Sequence, residues 1–180
     1  MLYIALLRGI NVRGHQVKME RLRELFTKLG LANVRTYIQT GNVFFEAAKG
    51  ESEALTAAIE AHLLQALGYD VPTFLRTAPE LERTLALDPF KGAPVTDDTR
   101  LTVVFAANPI PQALALPMWS PKRDTEIRAV TALDAFVVWY LKDGKAPAPQ
   151  SFLEKTLGGK VTARFLHTTA KILEAAQAGS

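Results

Sequence analysis

The order of short apolar runs and helix-like segments in the first 77 residues constrains the fold more than any other feature of this chain. Short apolar runs bounded by glycine or polar residues predict four strands, over residues 2–7, 34–38, 43–46 and 71–76. Apolar residues at helical spacing predict two helices, over residues 19–29 and 52–67. The resulting order, βαββαβ, is that of a ferredoxin-like plait.

The rest of the chain repeats this order less regularly. Thr77 and Glu80 form a capping-box pattern that predicts a helix over 78–87, and the polar, proline-containing stretch 88–99 is the best boundary. Further strands are predicted over 101–107, 126–131, 135–141 and 161–164, and further helices over 111–116, 150–157 and 169–178. We therefore expect an α+β protein of two ferredoxin-like (βαββαβ) subdomains packed together. The predicted divisions are an N-terminal subdomain over 1–77, a helix and linker over 78–99, and a C-terminal subdomain with a terminal helix over 100–180.

Composition excludes several classes of protein. The 180 residues include no cysteine, so a disulfide framework, a thiolate nucleophile and a cysteine-ligated metal site are excluded. No apolar run approaches the roughly 20 residues that span a bilayer, and the N-terminus lacks the basic start of a secretory signal. We expect a cytoplasmic protein that does not engage a membrane.

Charge is distributed unevenly along the chain. Residues 1–50 contain eight lysines and arginines against three acidic residues, whereas residues 51–100 contain four against nine. A basic first third suits an anionic ligand or nucleic acid, because clustered cations raise the local concentration of anions. The alternative is that Arg21, Arg23 and Lys28 only lie on the solvated face of a helix.

Two loops in the first third have the composition of a binding site. One follows the first strand and the other joins the second and third strands, so in a βαββαβ plait both fall at the same end of the sheet. Their glycines can adopt positive φ and turn backbone N–H groups toward one point. The predicted ligand-binding residues are Arg8, Asn11, Arg13, Lys18, Gln39, Thr40 and Asn42. The cationic members supply charge, and the others supply hydrogen bonds.

Each of these residues also has a purely structural interpretation. Gly41 and Asn42 are typical turn residues, and Asn11 can satisfy backbone groups of its own loop. His15 is interpreted as a solvated loop residue. For Arg8 and Arg13 a functional role is favoured, since Arg8 directly follows a buried strand and Arg13 lies among glycine and small residues.

Known catalytic motifs are not found. Gly9 and Gly14 imitate the spacing of a phosphate-binding P-loop, but His15 and Gln16 stand where lysine and a hydroxyl residue are required. The three histidines have no metal-ligand spacing, and there is no nucleophile-elbow motif. We therefore expect no metal and no cofactor, and the sequence does not decide whether the protein is an enzyme.

Residues 6–14, LLRGINVRG, and 36–45, TYIQTGNVFF, resemble the bacterial domain-of-unknown-function family with the signature LLRGINVGG followed by TYIQSGNVVF. The resemblance implies a two-subdomain α+β fold related to the ferredoxin-like plait, and it implies no established activity. Arg13 stands where the family tends to have glycine. Residues 147–153 and 164–169 also lack a lysine and two asparagines that relatives usually carry.

Three functional hypotheses follow. The first is a protein that binds an anionic or phosphorylated small molecule at the two N-terminal loops. The second is sequence-independent nucleic-acid binding through the basic first third, which predicts a steep salt dependence. The third is a protein-interaction module that has no small ligand. The sequence does not indicate the identity of the ligand, the reaction or the oligomeric state.

Overall fold

In this computed structural model, which describes residues 1–12, 14–50 and 52–179, the described residues form nine strands and five helices. In chain order they are β1 (Leu2–Leu7), α1 (Met19–Lys28), β2 (Ala32–Tyr37), β3 (Asn42–Glu46), α2 (Ser52–Leu67), β4 (Thr73–Thr77), α3 (Ala78–Ala86), β5 (Thr99–Ala106), β6 (Met118–Trp119), β7 (Thr125–Val130), β8 (Asp134–Tyr140), α4 (Gln150–Leu157), β9 (Val161–Phe165) and α5 (Leu166–Gln177).

The first sheet has the antiparallel strand order β2-β3-β1-β4. Helices α1 and α2 cover one of its faces, because Phe26 of α1 and Ile59 of α2 share a core with Ala5 and Phe45 of the sheet. The apolar periodicity read from the sequence therefore places the helices where a plait requires them. Gly30 follows α1 with φ +78°, as expected of a glycine that ends a helix.

The second sheet has the order β6-β7-β8-β5-β9. Four of its strands, β7-β8-β5-β9, repeat the order of the first sheet, and β6 is added at the edge. Helix α4 covers one face, where Leu153 and Leu157 pack with Val104 and Val137. The predicted α+β fold with two ferredoxin-like sheets is confirmed.

The helix predicted over residues 111–116 is wrong, because this stretch forms turns and leads into the short strand β6, which was not predicted. The N–H of Ile110 donates to Ala132 O at 2.8 Å, which holds the start of the segment against the β7–β8 turn. Pro117 has no N–H to donate and disfavours helical backbone at Leu116. Six residues between such constraints cannot build a stable helix.

The capping box at the start of α3 is confirmed. The N–H of Thr77 donates to Glu80 Oε2 at 2.7 Å, and the N–H of Glu80 donates to Thr77 Oγ1 at 3.3 Å. Two backbone donors that the helix itself cannot satisfy are therefore bonded by side chains.

The chain divides into two compact units, Met1–Glu82 with Ile172–Ser180, and Arg83–Lys171. The last turns of α5 belong to the first unit, where Arg35 Nη1 and Nη2 donate to the carbonyls of Ala175 and Ala176 at 2.9 and 2.7 Å. The first of these bonds joins residues 140 positions apart in the chain, which no local sequence pattern indicates. The boundaries at 77 and 99 stay predictions.

Within the described ranges, no helix combines the length and the apolar character needed to cross a membrane.

Candidate functional site

Three connections meet at one end of the first sheet. The N–H of Leu7, at the end of β1, donates to Gly41 O in the β2–β3 turn at 2.7 Å. The N–H of Arg8 donates to Pro72 O, in the α2–β4 connection, at 2.9 Å. The two loops predicted to share a surface are therefore hydrogen-bonded neighbours, and the third connection lies beside them.

Asn11 joins the first two loops through its side chain. Its Nδ2 donates to Gln39 O at 2.8 Å, and its Oδ1 accepts from the N–H of Val17 at 2.7 Å. The backbone of Asn11 has φ +56°, a left-handed conformation that asparagine adopts more readily than most residues. One side chain thus closes the β1–α1 loop and attaches it to the β2–β3 turn.

The β2–β3 turn requires a glycine at position 41. Gly41 has φ +80°, and a Cβ built there would lie 3.0 Å from Leu7 Cβ and 3.3 Å from Ile10 Cβ. Ile38, in the same turn, has φ +48° and is 45% exposed. Left-handed backbone is strained for a β-branched residue, so packing and hydrogen bonds around the turn must offset this cost.

A concavity of about 460 Å³ opens between these two loops, and we call it the loop site. The loop site is lined by Asn11, Gln16, Val17, Lys18, Met19 and Gln39. Three carboxamides and one ammonium group therefore surround a small apolar patch formed by Val17 and Met19. This lining can donate several hydrogen bonds and contributes one positive charge.

Lys18 is the cation of the loop site. It is exposed and precedes α1, whose N-cap position has no side-chain hydrogen bond. Lys18 forms no ion pair with any described residue. The N-terminal end of α1 carries the positive end of the helix dipole, which adds to the charge of Lys18 at the mouth of the concavity.

Other predicted site residues lie close by but do not line the loop site. Arg8 is half-buried, and Thr40 is exposed. Asn42 is fully buried, and its Nδ2 donates to Tyr37 O at 3.1 Å and to Thr40 Oγ1 at 3.0 Å. The turn interpretation of Asn42 agrees with these contacts. Arg13 lies outside the described residues.

His15 contributes more to the structure than a solvated loop residue does. His15 is exposed as a residue, and its ring stacks on Tyr69 with ring centroids 3.9 Å apart and planes at 14°. Tyr69 belongs to the α2–β4 connection, and burial raises the pKa of its phenol. The stack therefore ties the β1–α1 loop to the third connection, a second attachment that the sequence did not indicate.

Sequence reasoning also missed Gln16, Val17 and Met19 as lining residues. The one sequence feature that could have indicated them is their position, since they immediately precede or begin the helix that follows the glycine-rich loop. Three described cations of the first third form contacts away from the loop site. Arg21 pairs with exposed Glu24 at 3.4 Å, while Arg23 and Arg35 donate to neutral oxygens elsewhere in the first unit. No group of three histidine or acidic side chains in the described ranges could hold a metal ion.

Comparisons with known proteins give a family and a fold. A family model described as "Protein of unknown function (DUF1697)" matches residues 1–136. The solved structure of the conserved bacterial protein SP0830 from Streptococcus pneumoniae is similar with a TM-score of 0.71 and 22% identity, over 97% of this chain and 98% of that chain. At that identity the likeness concerns the fold alone. No curated protein matches the chain.

Proposed function

We propose that this chain, which belongs to the DUF1697 family of proteins of unknown function, binds a small anionic or phosphorylated molecule at the loop site. The observation that carries the proposal is the loop site itself. Asn11 holds two loops together around a concavity that contains the side chains of two glutamines and a lysine that pairs with no acidic side chain in the described ranges. The cytoplasmic location predicted from the sequence belongs to the same proposal.

The lining suggests how such a ligand is held. Lys18 places its ammonium group against the anionic end, assisted by the N-terminus of α1. The carboxamides of Gln16 and Gln39 can donate to or accept from hydroxyl or carbonyl groups on the ligand. A volume of about 460 Å³ falls within the range of small-molecule sites.

The roles of Arg8 and Arg13 differ in this proposal. Arg8 lies at the end of β1, where its backbone is fixed by Pro72, so its side chain starts from a rigid position near the loop site. A rigid attachment lowers the conformational entropy that the side chain loses when a ligand binds. Arg13 keeps its predicted role in ligand binding. No described side chain at the loop site is a persuasive nucleophile, and we propose binding without assigning a reaction.

The test is a thermal-shift panel of nucleotides, sugar phosphates and organic acids on the native chain and on Lys18→Ala. Lys49→Ala is the matched control, because Lys49 is exposed and follows β3, at the opposite end of the sheet from the loop site. A ligand at about a hundredfold excess over Kd stabilises the native state by about 2.7 kcal/mol. We expect this shift in the native chain and in Lys49→Ala, and its loss in Lys18→Ala.

Other results would favour the alternatives. Short DNA or RNA that binds with a steep salt dependence, equally weakened in Lys18→Ala and Lys49→Ala, would indicate nucleic-acid binding through dispersed charge. A panel that leaves the melting temperature of the native chain unchanged would contradict the proposal and favour a protein-interaction module.

A further inference from the structure

A second concavity lies in the first unit, away from the loop site. Its volume is about 410 Å³, and we call it the arginine site. The arginine site is lined by Arg23, Val34, Arg35, Thr36, Phe44 and Ala175. It shares no lining residue with the loop site, so the two can be tested separately.

Arg35 is half-buried and has an incomplete set of hydrogen bonds. Its Nη1 and Nη2 donate to the carbonyls of Ala175 and Ala176 at the end of α5, and its guanidinium lies 5.5 Å from the centre of the Phe44 ring. Its Nε is buried and has no hydrogen-bond partner among the residues that the structure describes. A Cβ built at Gly179 would lie 3.0 Å from this Nε, so the chain itself covers the atom, and the guanidinium acts on the concavity through its charge.

Arg23 adds a second guanidinium to the same concavity. It is half-buried, and its Nη1 donates to Thr36 Oγ1 at 2.8 Å. Neither Arg23 nor Arg35 forms an ion pair with any residue that the structure describes. Within the described part of the chain, every acceptor for the two groups is a neutral oxygen.

The described groups at the arginine site carry a net positive charge. The C-terminal end of α5 contributes roughly half a negative charge, whereas the two guanidinium groups contribute two positive charges. The remaining positive charge faces a concavity whose walls include apolar Val34 and Phe44. Guanidinium groups match the oxygens of phosphate and carboxylate, and a low-polarity wall strengthens that attraction.

We propose that the arginine site binds a small oxyanion, phosphate or carboxylate, independently of the loop site. Arg23 binds the anion directly, and the charge of Arg35 attracts it while Arg35 continues to bond the end of α5. Arg35 is unsuitable for the decisive test because its removal also breaks two bonds to the helix. Arg23 carries the test instead.

The experiment compares two double variants of the full chain, Lys18→Gln with Arg23→Gln and Lys18→Gln with Arg21→Gln. Lys18→Gln weakens the loop site in both, and Arg21 is the matched control because it is exposed on the same helix and pairs with Glu24. Melting temperature is measured in sodium phosphate, sodium acetate and sodium chloride at equal ionic strength. The general salting effect of phosphate is the same for both variants and cancels.

We expect phosphate or acetate at about five times Kd to raise the melting temperature of the Arg21→Gln variant by about 2–4 °C over chloride, and the Arg23→Gln variant to lose this rise. A rise with phosphate alone, or with acetate alone, identifies which oxyanion is bound. Equal rises in both variants, or no rise in either, would overturn the proposal. Because both variants lack Lys18, neither result depends on whether the loop site binds its own ligand.

Discussion

In each unit, a carboxamide side chain attaches the connection after the first strand to the following hairpin, but the residues around that carboxamide differ. In the first unit, Asn11 Nδ2 in the β1–α1 loop donates to Gln39 O in the β2–β3 turn at 2.8 Å. In the second, Gln112 Nε2 in the β5–β6 connection donates to Thr131 O, beside the β7–β8 turn, at 3.2 Å. Both units therefore fasten the connection after their first strand to the following hairpin with a carboxamide.

The difference lies in what surrounds that carboxamide. Residues 107–117 contain three prolines and no charged residue, and they form turns. Residues 8–18 contain Arg8 and Lys18 and lead into α1, whose N-terminus faces the loop site. The comparison teaches that the carboxamide bond belongs to the scaffold of the plait, whereas the charge and the helix terminus make the first unit the binding candidate.

The largest effect is expected at the glycine that the first unit needs in its hairpin turn. Gly41→Ala would combine strained backbone with a collision against Leu7, so we expect a loss of about 2–4 kcal/mol in the free energy of unfolding. Gly14→Ala is the matched control, because Gly14 also has positive φ but nothing within 4 Å of the added Cβ. It should cost about 1 kcal/mol. Urea unfolding measures both, and equal losses would refute the steric part of the argument.

Asn11 should rank next, because it joins the loops and tolerates its left-handed backbone. We expect Asn11→Ala to lower the free energy of unfolding by about 2 kcal/mol, through two lost hydrogen bonds and backbone strain. Asn11→Gly loses the same two hydrogen bonds but adds no backbone strain, so it should cost about 1 kcal/mol. Both variants should also weaken any ligand of the loop site, measured by titration calorimetry. Unchanged affinity in Asn11→Gly would show that the loops keep their arrangement without this side chain.

The equivalent change in the second unit should be smaller and should not affect binding. Gln112→Ala removes bonds to Ile110 O and Thr131 O that lie partly in solvent, so we expect a loss of about 0.5–1 kcal/mol. Ligand affinity at the loop site should stay at the native value in the same calorimetric titration. If Gln112→Ala lowered the affinity as much as Asn11→Gly does, the claim that only the first unit forms the binding site would be contradicted.

The smallest effect is expected in the pH dependence of stability, for which one tyrosine of each unit is compared. Burial, a hydrogen bond to Glu126 and the charge of that carboxylate raise the pKa of Tyr140 to about 12, and burial raises the pKa of Tyr69. A raised pKa in the folded state favours the protonated phenol, so its contribution to stability is complete below pH 10 and is lost between about pH 10 and 12. We expect Tyr140→Phe to flatten the decline in stability over that interval more than Tyr69→Phe does. Unfolding free energies at each pH, with tyrosinate absorbance as the titration readout, measure this, and identical slopes would contradict it.

Local patterns predicted much of this fold. The four strands and two helices of the first unit occur where hydrophobic periodicity placed them, and Thr77 and Glu80 form the bonds that their spacing predicts. Gly9, Gly14 and Gly41 all have positive φ, as the loop composition suggested. These successes share a cause, since each depends on residues within about one turn of helix or one hairpin of each other.

The failures also share a cause. The helix predicted over 111–116 satisfied local spacing, but bonds to the β7–β8 turn and a following proline prevented it. Of the predicted site residues, Asn11, Lys18 and Gln39 line the loop site, whereas Asn42 is buried in the turn. Residue type alone does not distinguish an asparagine that faces a cavity from one that satisfies its own backbone.

The sequence by itself therefore determined the order of elements in the first unit, the plait that this order builds and the end of the sheet where the two loops meet. Only the tertiary structure decided which side chains surround a cavity there, and that His15 stacks on Tyr69. It alone brought Arg23 and Arg35 to one concavity beside the end of α5. Element formation depends on local periodicity and backbone preference, whereas a site depends on contacts between residues far apart in the chain, and these form only when the whole sheet is packed.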